Sequence, residues 1–352
     1  MRALILSGGQ GSRLRPITHT NAKQLIPVAG APILFHALEA IRDAGIVDVG
    51  IVVGETRDEI RAAVGDGSPW GLSVTYIRQE QPLGLAHAVL TARDFVAGQP
   101  FLMYLGDNVL LEGLGRFVEE FERTRPDAQI FLARVPEPER FGVAVLEGDR
   151  VVRLVEKPKE FVSDLALVGV YLFDDSIVEA AETLKPSARG ELEITEAIQW
   201  LIDHGKTVRA EMVSGWWKDT GRPSDLLEAN RVMLSVLTAE VEGEIDGAST
   251  LQGAVRLERG AKVIRSRLQG PVAIGRGTVV EDSVVGPNVS IEREVRIVRS
   301  DVEDSIVMEG CRIVDVHGLA ASIIGRNVEI RHSGLDGVHR LVVGDQSRLE
   351  LA

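Results

Sequence analysis

Glycines and cations crowd the start of the chain. Gly8, Gly9 and Gly11 lie in the run Ser7-Gly8-Gly9-Gln10-Gly11-Ser12, followed by Arg13, Arg15, Pro16 and Lys23. Glycines let backbone N–H groups approach a phosphate closely and reach positive φ. Cations just beyond them hold the remaining oxygens. The chemistry this suits is the cradling of a triphosphate. The Walker loop does not fit, because no Lys-Ser or Lys-Thr follows the last glycine. The dinucleotide loop fits only in part, because Leu14 stands where its third glycine should be. A plain strand-to-helix turn explains the glycines alone, and Arg13 with Lys23 tips the reading to phosphate.

Gly106-Asp107-Asn108 follows a second apolar run, residues 101–105. A carboxylate at a buried strand end is costly without a partner. Taken alone, Gly-Asp-Asn makes an ordinary turn. Opposite a phosphate cradle, Asp107 suits a divalent cation riding on the triphosphate. Gln81 carries one acceptor and two donors, enough to pair with a pyrimidine edge. Gly84 opens a helix whose N-terminus can face an anion or a base. His87 lies within that helix and reads as structural.

These residues need a frame. Residues 3–6, 47–53, 74–77 and 101–105 read as buried strands, and 33–44, 58–64 and 85–95 as helices, the first ending at Gly45. The alternation implies an α/β, Rossmann-like domain with a mostly parallel sheet covered on both faces. Ligands then sit beyond the carboxyl ends of the strands, where the glycine turn and Asp107 both fall. Further strands are expected at 152–155 and 167–173, the latter interrupted by Gly169, a sign of close approach by a ligand or another backbone. Helices are expected at 196–204, with Thr195 or Glu193 helping to start it, and at 223–237, with Pro223 in the first turn. Core packing is the expected role of at least one of Trp216 and Trp217.

The texture changes near residue 240. Ser266, Ser283 and Ser300 fall 17 residues apart, as do Ser305 and Ser322, with a slip of five between the two series. Apolar residues recur every six: Ile274 and Val280; Val285, Ile291 and Ile297; Ile324 and Ile330. A six-residue unit used three times per turn is a triangular coil whose sides are short parallel strands. One aliphatic per side fills it, and only stacked coils bury that core. The division expected is 1–240 for the α/β domain and 241–352 for the coil.

At 352 residues the chain suits two such domains. Apolar residues are 45% and formal charge is −13. An acidic chain is a poor nucleic-acid binder, and no apolar run approaches the roughly 18 residues of a membrane span. No charged-then-apolar leader is evident, so a cytoplasmic location is expected. With Cys311 the sole cysteine, no intrachain disulfide or cysteine metal site can form.

The opening run Gly8-Gly9-Gln10-Gly11-Ser12-Arg13-Leu14-Arg15-Pro16, then Lys23, then Pro27-Val28, resembles the signature of the sugar-1-phosphate nucleotidyltransferases. The similarity continues through Gly106-Asp107-Asn108, Phe141-Gly142-Val143 (with Phe where the family has Tyr), Glu156-Lys157-Pro158, the run Arg189 to Thr195, and Trp217-Lys218-Asp219-Thr220-Gly221. The repeats resemble the hexapeptide left-handed β-helix. Taken together, the chain is most similar to the long thymidylyl-transferring members.

What the resemblance implies is Mg²⁺-dependent transfer of a thymidylyl group from dTTP to glucose 1-phosphate, the first step in making antibiotic or surface-glycan deoxysugars. Arg13, Lys23 and Lys157 would be the catalytic cations. Leu6, Gly8, Gly9, Gly11, Gln81, Pro82, Gly84 and Asp107 would line the nucleotide. Asn108, Gly142, Glu156, Lys157, Gly169 and Arg189 would line the sugar phosphate, with Asp107 and Asp219 on the metal. A homo-oligomer, trimer or tetramer, is implied by β-helix sides that often trimerise. Alternatives are a uridylyl-transferring enzyme, a bifunctional nucleotidyl- and acetyltransferase, and a non-catalytic sugar-nucleotide-binding regulator.

Overall fold

The computed structural model describes residues 1–332 and 337–351. The chain forms two compact units, Met1–Gln10 with Leu34–Asp219, and Gly11–Ile33 with Thr220–Ala352. The first is built on a nine-stranded sheet. Its order is Ser73–Arg78, Asp48–Val53, Arg2–Ser7, Phe101–Leu105, Leu165–Phe173, Ala128–Arg134, Val208–Met212, Arg150–Glu156, Gly142–Glu147. Leu165–Phe173 and Arg150–Glu156 run against the other strands, so the sheet is mostly parallel in direction.

Burial on both faces explains the unbroken apolar runs. Ala3, Leu4 and Ile5 are fully buried. Ile130 and Leu132 join a cluster with Ala86, Val89, Ile177, Ile198 and Leu201 from helices on one face. Phe131, between them, turns the other way and meets Phe117 of helix Gly115–Thr124, ring centroids 4.3 Å apart. Side chains two apart share a face and neighbours oppose, as strand geometry requires.

The expected helices form with small changes. Helix Ile33–Asp43 stops where Gly45 (φ 78°) donates its N–H to Arg42 O. The expected helix over 85–95 breaks at Ala92 into Leu85–Thr91 and Arg93–Val96. Helix Ile194–Asp203 starts two residues early; no side chain caps it, and Thr195 lies inside it. Neither Trp216 nor Trp217 is buried in the core. Trp217 instead sits in a strand the sequence did not suggest, Trp217–Asp219, antiparallel to Asn108–Leu110.

The second unit carries the parallel β-helix expected of hexapeptide repeats. Its strands stack into three parallel sheets of seven, seven and five strands. Ile274, Val280, Val285, Ile291, Ile297, Ile324 and Ile330 are each at most 1% exposed. The serine periods have a cause. Ser266 Oγ accepts the Ser283 N–H, Ser283 Oγ the Ser300 N–H, and Ser300 Oγ the Val316 N–H, each at 3.0 Å. Ser305 and Ser322 repeat the bond in a ladder of their own. The slip in the sequence marks passage from one ladder to the other. Helix Pro223–Ser235 precedes the coils, and among the described residues no helix is long and apolar enough to cross a membrane.

Candidate active site

The glycine turn leaves the sheet at the end of Arg2–Ser7. The neighbouring strand Phe101–Leu105 runs parallel in register Leu6↔Leu105. Gly106 N–H donates to Leu6 O at 3.0 Å, and a Cβ on Gly106 would lie 2.6 Å from Ser7 Oγ. Gly8 and Asp107 therefore follow adjacent strand ends at one edge of the sheet. This is the carboxyl edge, where α/β sheets bind ligands.

The short antiparallel pair brings in the second carboxylate. Asp219 is the register partner of Asn108, so it stands one residue from Asp107 across the ladder. Asn108 is 2% exposed and its amide is engaged: Nδ2 donates to Asp107 Oδ1 at 3.0 Å, and Oδ1 accepts Trp217 Nε1–H at 2.6 Å. It thus holds Asp107 in place. Tyr104, fully buried beneath, donates its hydroxyl to Asn108 O, and burial pushes that phenol up and keeps it neutral. Gly169 makes room for the arrangement, since a Cβ there would fall 2.7 Å from Asn108 Cγ.

Along the same sheet lies a third group. Glu156 ends its strand opposite Gly142. Its Oε1 takes Arg189 at 3.0 Å and Lys157 at 3.4 Å, and its Oε2 accepts from Thr195 Oγ1 at 3.2 Å. Arg189 also forks onto Glu191 and stands 3.3 Å from Glu193. Burial, with help from Glu156, raises the Glu193 carboxyl above its ordinary range, while Ser187 and Arg189 pull it back. Lys157 adopts φ 41°, a left-handed conformation that is strained outside glycine and gathers at functional sites. A cavity of about 770 Å³ opens here, with Glu156, Lys157 and Arg189 in its wall. Gly142 passes tightly beside it: a Cβ would sit 2.5 Å from Thr195 Cγ2 and 3.1 Å from Glu156 Oε2. Phe141 meets Trp217 edge-on at 5.5 Å, so one side chain links the Gly142 and Asn108 groups.

In the loop after the edge strand Ser73–Arg78, Gln81 and Pro82 are exposed. Gly84 (φ 103°) is required by packing, because a Cβ would lie 2.4 Å from Leu192 O. That carbonyl also takes the Ala86 N–H, so the helix N-terminus is partly filled by the chain itself. His87 Nδ1 is bonded to Gln79 Nε2 at 2.9 Å, a structural role. Gln79 is the residue the sequence reading passed over. It is 8% exposed, and its Oε1 would lie 3.0 Å from a Cβ on Gly8. A buried glutamine at the carboxyl end of a parallel strand was the available signal. Gly54, whose Cβ would meet Gly8 O at 3.1 Å, was missed as well.

Gly11, Arg13 and Lys23 belong to the second unit. Gly11 (φ 63°) turns the chain where a Cβ would press within 3.0 Å of both Lys23 Cβ and Thr18 Cγ2. Thr18 Oγ1 and Leu14 N–H both donate to Gly11 O. Arg13 is exposed and Lys23 half-buried.

The nucleotidyl transferase family matches residues 2–236. A glucose-1-phosphate thymidylyltransferase of Streptomyces griseus is 53% identical over 354 residues, covering all of both chains. One of Streptomyces antibioticus is 49% identical, covering all of this chain and 99% of its own. A crystal structure from Bacillus anthracis, assigned provisionally as a glucose-1-phosphate thymidylyltransferase and holding a sucrose, is 36% identical. It superposes with a TM-score of 0.64 over 68% of this chain and 98% of that one. Nucleotidyltransferases of this family generally use a divalent metal ion. The family match spans the glycine turn, both carboxylates and the Glu156 group, and the chain belongs to the nucleotidyl transferase family.

Proposed function

We propose that the chain transfers a thymidylyl group from dTTP to glucose 1-phosphate, giving dTDP-glucose and pyrophosphate. The observation that carries the reading is the pairing of Asp219 with Asn108, which sets two carboxylates beside the strand end leading to Gly8. The full-length similarity to two thymidylyltransferases supports the choice of substrates. Nucleoside triphosphates are abundant in the cytoplasm, which is where we place the reaction.

An oxygen of the sugar phosphate attacks the α-phosphorus in line, and pyrophosphate leaves. Such transfer depends on positioning and charge neutralisation rather than a strong base. Backbone at Leu6, Gly8, Gly9 and Gly11 receives the nucleotide, with Arg13 and Lys23 on the triphosphate and departing pyrophosphate. Gln81 and Pro82 meet the base. Glu156, Gly142 and Gly169 fix the sugar, and Lys157 with Arg189 hold its phosphate. Arg189 is engaged by Glu156, Glu191 and Glu193, so the phosphate shares a cation already oriented by carboxylates. Asn108 acts by orienting Asp107.

Asp107 and Asp219 would hold Mg²⁺. The donor set fits: Asp219 pairs with Asn108, the neighbour of Asp107, and Mg²⁺ typically takes one or two carboxylates with substrate phosphates and water. When bound, the ion neutralises charge on the triphosphate.

A pyrophosphate-release assay across dTTP, UTP and other triphosphates, each with several sugar 1-phosphates, tests the reading. The fastest turnover is expected with dTTP and glucose 1-phosphate. Equal rates with dTTP and UTP would overturn the base assignment, and no release from any pair would overturn the activity.

A further inference from the structure

The segment that carries Arg13 and Lys23 has little structure of its own. Between residues 11 and 26 it holds only three 3-10 turns, Ser12–Leu14, Ile17–His19 and Lys23–Leu25. Isolated single turns are not stable by themselves, so the order of this segment must come from what it packs against. Within its own unit, that partner is the β-helix.

The attachment is built around Asn21, two residues before Lys23 and 4% exposed. Asn21 Nδ2 donates to Asp345 Oδ2 at 2.9 Å and to Ile17 O at 3.1 Å. Asn21 Oδ1 accepts from the Arg326 guanidinium. Thr20 Oγ1 donates to the same Asp345 Oδ2 at 2.8 Å. Asp345 is itself fixed, since its Oδ1 accepts the Arg326 N–H at 2.7 Å. Gly344 lets Pro16 close in, as a Cβ there would lie 3.2 Å from Pro16 Cβ and Pro16 O. Arg326 and Asp345 follow strands Ile323–Ile324 and Val342–Val343, which stack in one sheet of the coil. A second tie lies downstream: Ala29 N–H donates to Asn230 Oδ1 at 2.8 Å, and Arg256 donates to Ala29 O at 2.7 Å.

We propose that Asp345 and Arg326 are positioning residues for nucleotidyl transfer. The last coils of the β-helix hold the Asn21 turn and thereby set the cations that receive the triphosphate. Side-chain bonds to charged groups are the strong kind, and Asn21 spends both ends of its amide on the coil. This inference rests on the nucleotidyl-transfer reading and on the role given there to Arg13 and Lys23.

The test uses the full-length chain. Steady-state kinetics are measured in both directions for Asp345→Ala, Asn21→Ala and the exchange Asn21→Asp with Asp345→Asn, alongside Arg13→Ala. Amide hydrogen exchange is followed in residues 11–26 and in the sheet strands. For Asp345→Ala, KM for dTTP and for pyrophosphate should rise about tenfold or more, the effect of losing a charge-assisted bond. KM for glucose 1-phosphate should stay within about twofold, well below the effect of such a bond. Exchange should quicken in residues 11–26 and not in the sheet, and the exchanged pair should recover part of the loss. Wild-type kinetics in Asp345→Ala, or equal damage to both substrates, would overturn the proposal. If Asp345→Ala does not fold, Asn21→Ala decides by the same criteria. Undiminished turnover in Arg13→Ala would instead strike at the transfer reading itself; collapse there beside a normal Asp345→Ala would remove the tether alone.

Discussion

Gly142 and Gly169 show how much of the site is defined by missing side chains. Each marks a place where backbone passes against a functional residue, Gly142 at Glu156 and Gly169 at Asn108. Gly142→Ala would push its methyl into Thr195 and towards Glu156 Oε2. A displacement of an ångström can cost about a hundredfold in a positioned reaction. We therefore expect Gly142→Ala to lose about that much in kcat/KM for glucose 1-phosphate, with KM for dTTP little changed and the melting temperature lowered by the overpacking against Thr195. Steady-state kinetics with each substrate varied check it, and a uniform effect on both would contradict it. At this scale the sequence revealed glycines, carboxylates and cations because their types imply chemistry. It did not reveal Gln79 or Trp217. Their roles come from partners distant in sequence, Gly8 for Gln79 and Asn108 with Phe141 for Trp217.

Among the elements, the strands and helices with a strong period were legible and the short pairings were not. Residues 3–6 and 101–105 announce themselves by burial on both faces. Trp217–Asp219 is three residues long and its period is too short to read, yet it carries Asp219 to its place. In the coils the serine spacing was visible, while its meaning needed coordinates. Ser283 Oγ donates to Glu281 O at 2.6 Å and accepts the Ser300 N–H at 3.0 Å. Ser283→Ala would leave a buried N–H without its partner, a loss of about 1–3 kcal/mol. Denaturant unfolding should show it, and unchanged stability would contradict the ladder. Glu292 gives a pH signature in the same coils. Burial raises its carboxyl, while the Glu309 N–H and Arg326 pull it down. A carboxyl raised in the folded state favours folding while protonated and loses that contribution as pH rises through its folded value. Glu292→Gln keeps an acceptor for Glu309 N–H and cannot ionise. Its melting temperature should therefore gain on wild type as pH rises from below the ordinary carboxylate range towards neutrality. A difference that is flat with pH would rule out the titration.

For the molecule as a whole, the two-part texture of the sequence, alternating then six-residue, corresponds to a sheet unit and a coil unit. What the sequence could not convey is that residues 11–33 group with the coils, because that association rests on Asn21, Asp345, Arg326 and Ala29, far apart in the chain. The central chemical claim is that Asp107 and Asp219, both in the sheet unit, hold a divalent ion that neutralises the triphosphate during transfer to a sugar phosphate. The most direct measurement is the rate of dTDP-glucose formation from dTTP and glucose 1-phosphate by wild type, Asp107→Asn and Asp219→Asn, with folding verified by circular dichroism. The account predicts turnover by wild type and a loss of about a thousandfold or more in each variant, as expected when a charge-stabilising group leaves a phosphoryl-transfer site. Folded Asp219→Asn that works at close to the wild-type rate would contradict it.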